Sequence, residues 1–334
     1  MKRITVGLTY DLRSEYLAQG FSEEETAEFD RDETIDAIEA AVRREGHAAE
    51  RIGNFQGLTT ALSAGKRWDL VFNICEGMHG MGREALVPAL LDAWRIPYTF
   101  SDPVVLAVSL HKAMTKRVVR DAGVATPDFA VVETAADIEA IRLPFPLFAK
   151  PLGEGTGKGV TPSSRILSRE ELRSVCGRLL AAFHQPVLVE TFLPGREFTT
   201  GIVGTGAEAT VIGTMEVIFL EKAEAHAYTY VNKEYCDGKV RYELAVGREA
   251  EQCTELALKA WRALGARDAG RIDIRMDGNG VPSFIEVNPL AGLHPQHSDL
   301  PIICTMTGIS FQELVHRILD SAGRRAGLWE ADPR

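Results

Sequence analysis

RIDIRMDGNGVPSFIEVNPLAGLHP, from Arg271 to Pro295, is the stretch on which the reading of this chain turns. Apolar residues alternate through Ile272, Ile274 and Met276, a DGNG turn follows, and Phe284, Ile285 and Val287 come after it. Alternation broken by Asp-Gly-Asn-Gly is the pattern of a β-hairpin. A turn centred on Gly278 and Asn279 pairs Asp273 with Phe284 and Arg271 with Glu286. Side chains alternate with period two, so Arg271, Asp273, Glu286 and Asn288 then share one face. Two carboxylates, an amide oxygen and a guanidinium stand together there, opposite an apolar face. Hard oxygen donors grouped this way suit Mg2+, which one or two carboxylates commonly hold together with substrate phosphates. The loop that follows, LAGLHP, reads as a substrate-approach loop rather than a plain strand end.

Working outward, the chain has 334 residues, 45% of them hydrophobic and 25% charged, which suits a globular protein of two or three domains. No apolar run is long enough to span a bilayer, and the opening MKRITVGLTYDL reads as a strand rather than a signal peptide. The five cysteines (75, 176, 236, 253 and 304) lie far apart without metal-ligand spacing, the usage expected of a reduced, cytoplasmic protein. A net charge of −10 argues against nucleic acid or an anionic membrane as the main partner. Nucleotide phosphates remain possible partners, held by local lysines, glycine backbone and metal.

Ile4, Val6 and Leu8 alternate as a first strand, and Ile35, Ile38 and Val42 recur at helical spacing before Gly46. WDLVFNI (68–74) and RIPYTF (95–100) read as strands on either side of a helix at 86–94. This alternation predicts a small parallel α/β domain. Ser101-Asp102-Pro103 opens a helical segment expected to run to Gly123. Strand-rich segments around 145–160 and 187–203 follow, then helices at 251–264 and 311–322. Three units are expected: an N-terminal α/β domain at 1–102 and two α+β pieces at 103–188 and 189–334.

Lys150 ends an alternating strand and enters a loop with glycine at 153, 155, 157 and 159. Such a loop lets backbone N–H groups approach an anion, and the lysine adds charge. It is not a P-loop, because GxxxxGK[ST] is absent. Lys112, in SLHKAMTK, is a second candidate phosphate lysine, and Glu190 and Glu197 are carboxylates placed to receive an adenine amino group or ribose hydroxyls.

Taken in order, VFNICEG, RIPYTF, HKxxTK, VATP, AKPLGEGTGKG, VLVETFLPGREFT, RIDIR and IEVNPLAGLHP resemble the ATP-grasp superfamily, and within it the D-alanine–D-alanine ligase family. The resemblance runs from about Val71 to the end of the chain. It implies two α+β subdomains sandwiching ATP behind an N-terminal α/β domain. It also implies an ADP-forming ligase that joins two amino acids through an acyl phosphate. Lys112 and Lys150 are then phosphate contacts; Glu190, Thr191, Phe192 and Leu193 form the adenine hinge; Glu197 holds ribose. Asp273, Glu286 and Asn288 are implied ligands for Mg2+, two ions in number, with Mn2+ as a possible substitute. Arg271 and the Gly292 amide match the groups that stabilise the tetrahedral oxyanion. Glu28 is similar to the glutamate that holds the first substrate's ammonium group, and Ser298 to a serine that orients that substrate. The family also implies a homodimer and small amino-acid substrates.

Departures gather around the substrate sites. The first strand ends in TYDLRSEY instead of a Gly-Gly loop, Phe100 replaces a glycine, and His111-Lys112 replaces Asp-Lys. In the glycine loop, Thr156 keeps a hydroxyl where the family has serine, and Lys158 adds a charge. The mobile-loop Lys-Tyr pair reads Asn232-Lys233-Glu234-Tyr235, with Lys233 as its cofactor-contacting lysine. His226, His294 and His297 lack the spacing of a metal-binding helix. D-alanine and peptidoglycan supply form the default reading. The same reaction on other amino acids in specialised metabolism is the alternative, and a non-catalytic nucleotide-binding module is the third.

Overall fold

The computed structural model describes residues 3–220 and 238–329. Three sheets organise it. The first is parallel, in the order β2-β1-β3, from β1 (Thr5–Tyr10), β2 (Ala48–Gly53) and β3 (Leu70–Ile74). The helix Asp32–Arg44 makes the crossover, and its Ile35, Ile38 and Val42 face the sheet, as their spacing predicts. Ser101-Asp102-Pro103 starts a helix as expected: the Asp102 carboxylate accepts from the N–H groups of Val104 and Val105, both at 3.0 Å.

Two expectations need correction here. RIPYTF is not a strand; it contributes an isolated parallel bridge between Tyr98 and Val71. Pro97 has no N–H to give a ladder, and Phe100 turns the chain at φ 70°. That left-handed conformation favours glycine; here the Phe100 ring is fully buried and its N–H donates to Asp268 at 2.7 Å. The segment from 103 to 123 is two helices, Pro103–Leu110 and Lys112–Asp121, broken at His111 (ψ 85°). The His111 ring caps the second helix by accepting from Met114 N–H at 3.2 Å. Lys112 therefore starts a new helix instead of lying mid-helix.

The second sheet is antiparallel, in the order β4-β7-β5-β6: β4 (Phe129–Val132), β5 (Leu147–Pro151), β6 (Arg165–Ile166) and β7 (Val187–Thr191). Helices Ala135–Ala140 and Arg169–Phe183 cover one face around Leu147, Leu172 and Leu179. The third, also antiparallel, runs β10-β9-β8-β11-β12: β8 (Glu197–Val203), β9 (Thr210–Phe219), β10 (Val240–Leu244), β11 (Ala269–Met276) and β12 (Pro282–Asn288). Helix Arg248–Leu264 packs Trp261 on one face of it. On the opposite side, helices Asp299–Met306 and Phe311–Arg325 share one apolar core with the N-terminal sheet, joining Leu314 and Ile318 to Val6 and Leu70.

β11 and β12 form the expected hairpin with a different register. Asp273 pairs with Glu286 and Arg271 with Asn288, while Ile274 pairs with Phe284. Two features shift it. The loop takes five residues, 277–281, because the Asp277 side chain accepts from the N–H groups of Asn279 (2.8 Å) and Val281 (2.9 Å). Ile285 is then an extra residue in β12, a bulge opposite Asp273 and Ile274. The bulge sends Phe284 to the core and keeps Glu286 beside Asp273.

Candidate functional site

Two adjoining cavities lie between the sheets, with Lys112 and Glu286 in the wall of both. The first is bounded by the glycine loop, the end of β7, and the polar face of β11 and β12. Lys150, Glu190, Thr191, Phe192, Leu193, Glu197, Asp273 and Glu286 all line it, as the sequence predicts. Phe192 lies between two guanidiniums, Arg165 at 5.0 Å and Arg275 at 5.2 Å from the ring centroid. Glu197 accepts from Arg275 at 3.2 Å.

Glu190 occupies a different position from an adenine contact alone. Its carboxylate is buried between Lys116 Nζ (3.0 Å) and Lys150 Nζ (3.6 Å). Burial alone would raise its pKa, but the two lysines hold it below the usual range. Burial pushes Lys116 down to about 8. It anchors by donating to Thr126 Oγ1 at 2.9 Å and the Phe284 carbonyl at 3.4 Å. Sequence reading singled out Lys112 and passed over Lys116, although four residues on one helix put both on the same face. Lys150 and Lys112 approach Glu286 at 3.7 and 3.8 Å. Burial works against the charge on both: it leaves Lys112 lowered, whereas nearby carboxylates leave Lys150 raised.

Asp273, Glu286 and Asn288 do stand together. Asp273 accepts from Thr199 Oγ1 at 3.0 Å, from Asn288 Nδ2 at 3.3 Å and from Arg271. Arg271 also lies 3.6 Å from Asp299, a carboxylate the sequence reading missed although it follows Ser298 directly. The donor set fits a hard divalent cation: cross-strand neighbours supply two carboxylates and an amide, with room on the cavity side for phosphate oxygens.

The second cavity brings together Glu28, Thr156, Arg271, Asn288, Gly292, His294, His297 and Ser298. Ser298 Oγ accepts from His294 N–H at 3.0 Å and sits where a side chain on Gly292 would collide with it. Burial, then the neighbouring His297, lowers His294. Glu28 accepts from Gly155 N–H (2.7 Å) and Arg83 (2.9 Å), with Lys158 at 3.5 Å. Burial would raise Glu28, and those cations bring it below the ordinary range. Lys158, expected near a phosphate or a substrate carboxylate, also approaches Glu154 at 3.5 Å. A Cβ on Gly155 would come within 2.5 Å of Glu28 Oε1, so a side chain there would displace the glutamate from this hydrogen bond. Asp30, Glu76 and Glu84 line the same cavity and were not read from the sequence. His226, Lys233, Glu234 and Tyr235, with the rest of the mobile-loop stretch at 232–235, lie outside the described residues.

Comparison with known proteins gives the geometry a context. A family model described as D-ala D-ala ligase C-terminus matches residues 118–320. A D-alanine–D-alanine ligase from Xanthomonas axonopodis pv. citri is 32% identical over 84% of this chain and 86% of its own length. One from Dechloromonas aromatica is 34% identical over 78% and 83%. Among solved structures, D-alanine–D-alanine ligase from Bacillus anthracis complexed with ATP superposes with a TM-score of 0.71 at 19% identity, covering 97% of this chain and 99% of that one. The VanG D-Ala:D-Ser ligase from Enterococcus faecalis gives 0.74 at 18% identity, over 96% and 100%. The fold is that of these enzymes, and the expected α/β domain followed by an ATP-grasp pair of α+β subdomains is present.

Proposed function

Because the chain belongs to the D-alanine–D-alanine ligase family of ATP-grasp enzymes, we propose that it joins two amino acids through an acyl phosphate, consuming ATP and releasing ADP. The observation that carries this reading is the shared wall: Lys112 and Glu286 line both the cavity that holds Lys150, Glu190 and Glu197 and the cavity that holds Glu28, Arg271 and Gly292. A carboxylate is a poor electrophile. The first amino acid's carboxylate therefore takes the γ-phosphoryl group, delivered at the junction of the cavities beside Lys112 and Lys150. The second amino acid's amine attacks the acyl phosphate, forming a tetrahedral oxyanion that faces Arg271 and the Gly292 N–H. Collapse breaks the C–O bond and releases phosphate. Asp273, Glu286 and Asn288 would hold Mg2+, or Mn2+ in its place, which supplies charge neutralisation at the phosphates. The protein's own work is to position the reactants and supply fixed charge.

Phe192 and the Glu190–Leu193 strand end support adenine binding, and Glu197 supports ribose binding. The cysteines are consistent with a cytoplasmic enzyme: Cys75, Cys176, Cys253 and Cys304 are free thiols in buried positions. Among the described residues, no helix is long and apolar enough to cross a membrane. The units at 1–102, 103–188 and 189–334 and a homodimeric assembly stay within this proposal. Light scattering tests the assembly.

Substrate identity has two readings. D-alanine is the substrate that the relatives' names carry, and peptidoglycan precursor supply is the role that the family resemblance implies. Other amino acids are favoured by the carboxylates Asp30, Glu76 and Glu84 in the substrate cavity. The test is ADP and phosphate release with a panel of D- and L-amino acids, the products read by mass spectrometry. ADP formation that requires an amino-acid pair supports the ligase; no ADP with any pair and metal would remove it.

A further inference from the structure

The N-terminal wall of the substrate cavity holds more carboxyl groups than one α-ammonium group needs. Glu28 is already occupied: Gly155 N–H, Arg83 and Lys158 use three of the roughly four acceptor positions of a carboxylate. Asp30, Glu76 and Glu84 line the same cavity, and none of them has an ion-pair partner among the described residues. Glu84 is 9% exposed, faces the cavity and accepts no hydrogen bond among the described residues. Ser109, in the same wall and 5% exposed, buries a hydroxyl that also has no partner among the described residues.

Arg83 and Lys112 offset part of the charge on Glu84, and Arg83 part of that on Glu76, but neither forms an ion pair with them among the described residues, and the other cations of the cavity are held elsewhere. Arg13 is paired with Glu23, Arg271 with Asp273 and Asp299, and Lys112 faces Glu286. Arg31 has a partner of its own. Burial, then the neighbouring carboxylates Glu84 and Glu28, pushes Glu76 well up; burial also raises Glu84 to about 7. A bare metal ion does not suit the wall, since among the described residues no three His, Cys, Asp or Glu side chains are grouped to hold one. Carboxyl groups without ion-pair partners along one wall match a ligand that brings a second positive charge.

Resting on the ligase reading, we infer that Asp30, Glu76 and Glu84 form a recognition site for a second cationic group, and that the favoured substrate is a diamino acid rather than alanine. Glu28 orders the glycine loop, while the free carboxylates take the substrate's ammonium groups. Buried charge that loses its counter-charge is costly, so a neutral side chain of the same length binds less well.

The test compares lysine and ornithine with their uncharged isosteres norleucine and norvaline, in both stereochemical forms. Thermal-shift and calorimetric binding to the full-length wild-type protein are measured first, with and without ATP and Mg2+. The expected result is tighter binding of the diamino acid by about tenfold or more, and the same preference in kcat/KM for ADP release. Glu84→Gln together with Glu76→Gln should reduce the preference to about twofold or less. Equal or tighter binding of norleucine by the wild type overturns the inference, whether or not the double variant folds. ADP release without a diamino-acid preference overturns it and leaves the ligase reading standing. No ADP release with any pair removes the ligase reading, and the binding comparison still decides whether the wall recognises a second cation.

Discussion

Glu286 sits where two lysines and a cross-strand aspartate converge, so its charge is used by every neighbour at once. Glu286→Gln keeps the shape and removes the charge; turnover should fall by about a hundredfold or more, with the thermal midpoint little changed. Steady-state ADP release and a melting curve check this, and near-normal turnover would show that the hairpin does not carry the chemistry. Asp30 makes a different kind of prediction. Loss of water around it, then the adjacent Asp11 charge, raises its pKa to about 8. The folded chain therefore keeps a proton that the unfolded chain releases near pH 4. A raised carboxylate pKa stabilises at low pH and loses that contribution as pH rises through the folded value. Stability should decline between about pH 4 and pH 8, and Asp30→Asn should flatten the decline. Urea unfolding across that range, wild type against variant, measures it; parallel curves would refute it.

At the scale of elements, the bulge decides what the hairpin does. Ile285 is the inserted residue, and it lines the nucleotide cavity. Ile285→Ala removes apolar contact worth about 1–2 kcal/mol, so KM for ATP should rise roughly five- to thirtyfold with kcat nearly unchanged. Asp102→Ala removes a helix cap and the pairing with Arg267, and should cost about 1–2 kcal/mol in denaturant unfolding. The hairpin, its acidic face and the Asp102 cap were all legible in the sequence, because period-two alternation and N-cap chemistry are local. The bulge was not: alternation says which residues share a face, but not where an extra residue is absorbed. The break at His111 was hidden for a similar reason, since nothing apolar interrupts the helical spacing there. The relation of Lys116 to Glu190 was out of reach as well, because the partners stand 74 positions apart in the chain.

Across the whole molecule, the first sheet and the last helix are folded together. The N-terminal sheet shares its core with helix Phe311–Arg325, and Asp268 receives hydrogen bonds from Phe100 N–H, Ser321 and Arg325 at 2.7 Å each. A truncation after Ser310 should therefore expose the face of β1 and β3 and leave the N-terminal sheet unfolded, not merely shorten the protein. Near-UV circular dichroism and solubility measure the outcome; a folded truncated protein would contradict the shared core. Such cohesion was only partly visible beforehand, because composition and periodicity divide a chain into units without saying which unit covers which.

The strand β11 lies between β8 and β12, with neighbours on both sides, and holds Arg271 and Asp273 within a ladder that local change cannot easily bend. The wall opposite is built from turns and short helices at residues 13–31 and 76–84. The two walls thus differ in how freely a lineage can revise them. Substitutions in the second can sample new amino acids while phosphoryl transfer persists, which makes this scaffold a natural starting point for ligases of altered diet and for laboratory selection confined to those two short windows.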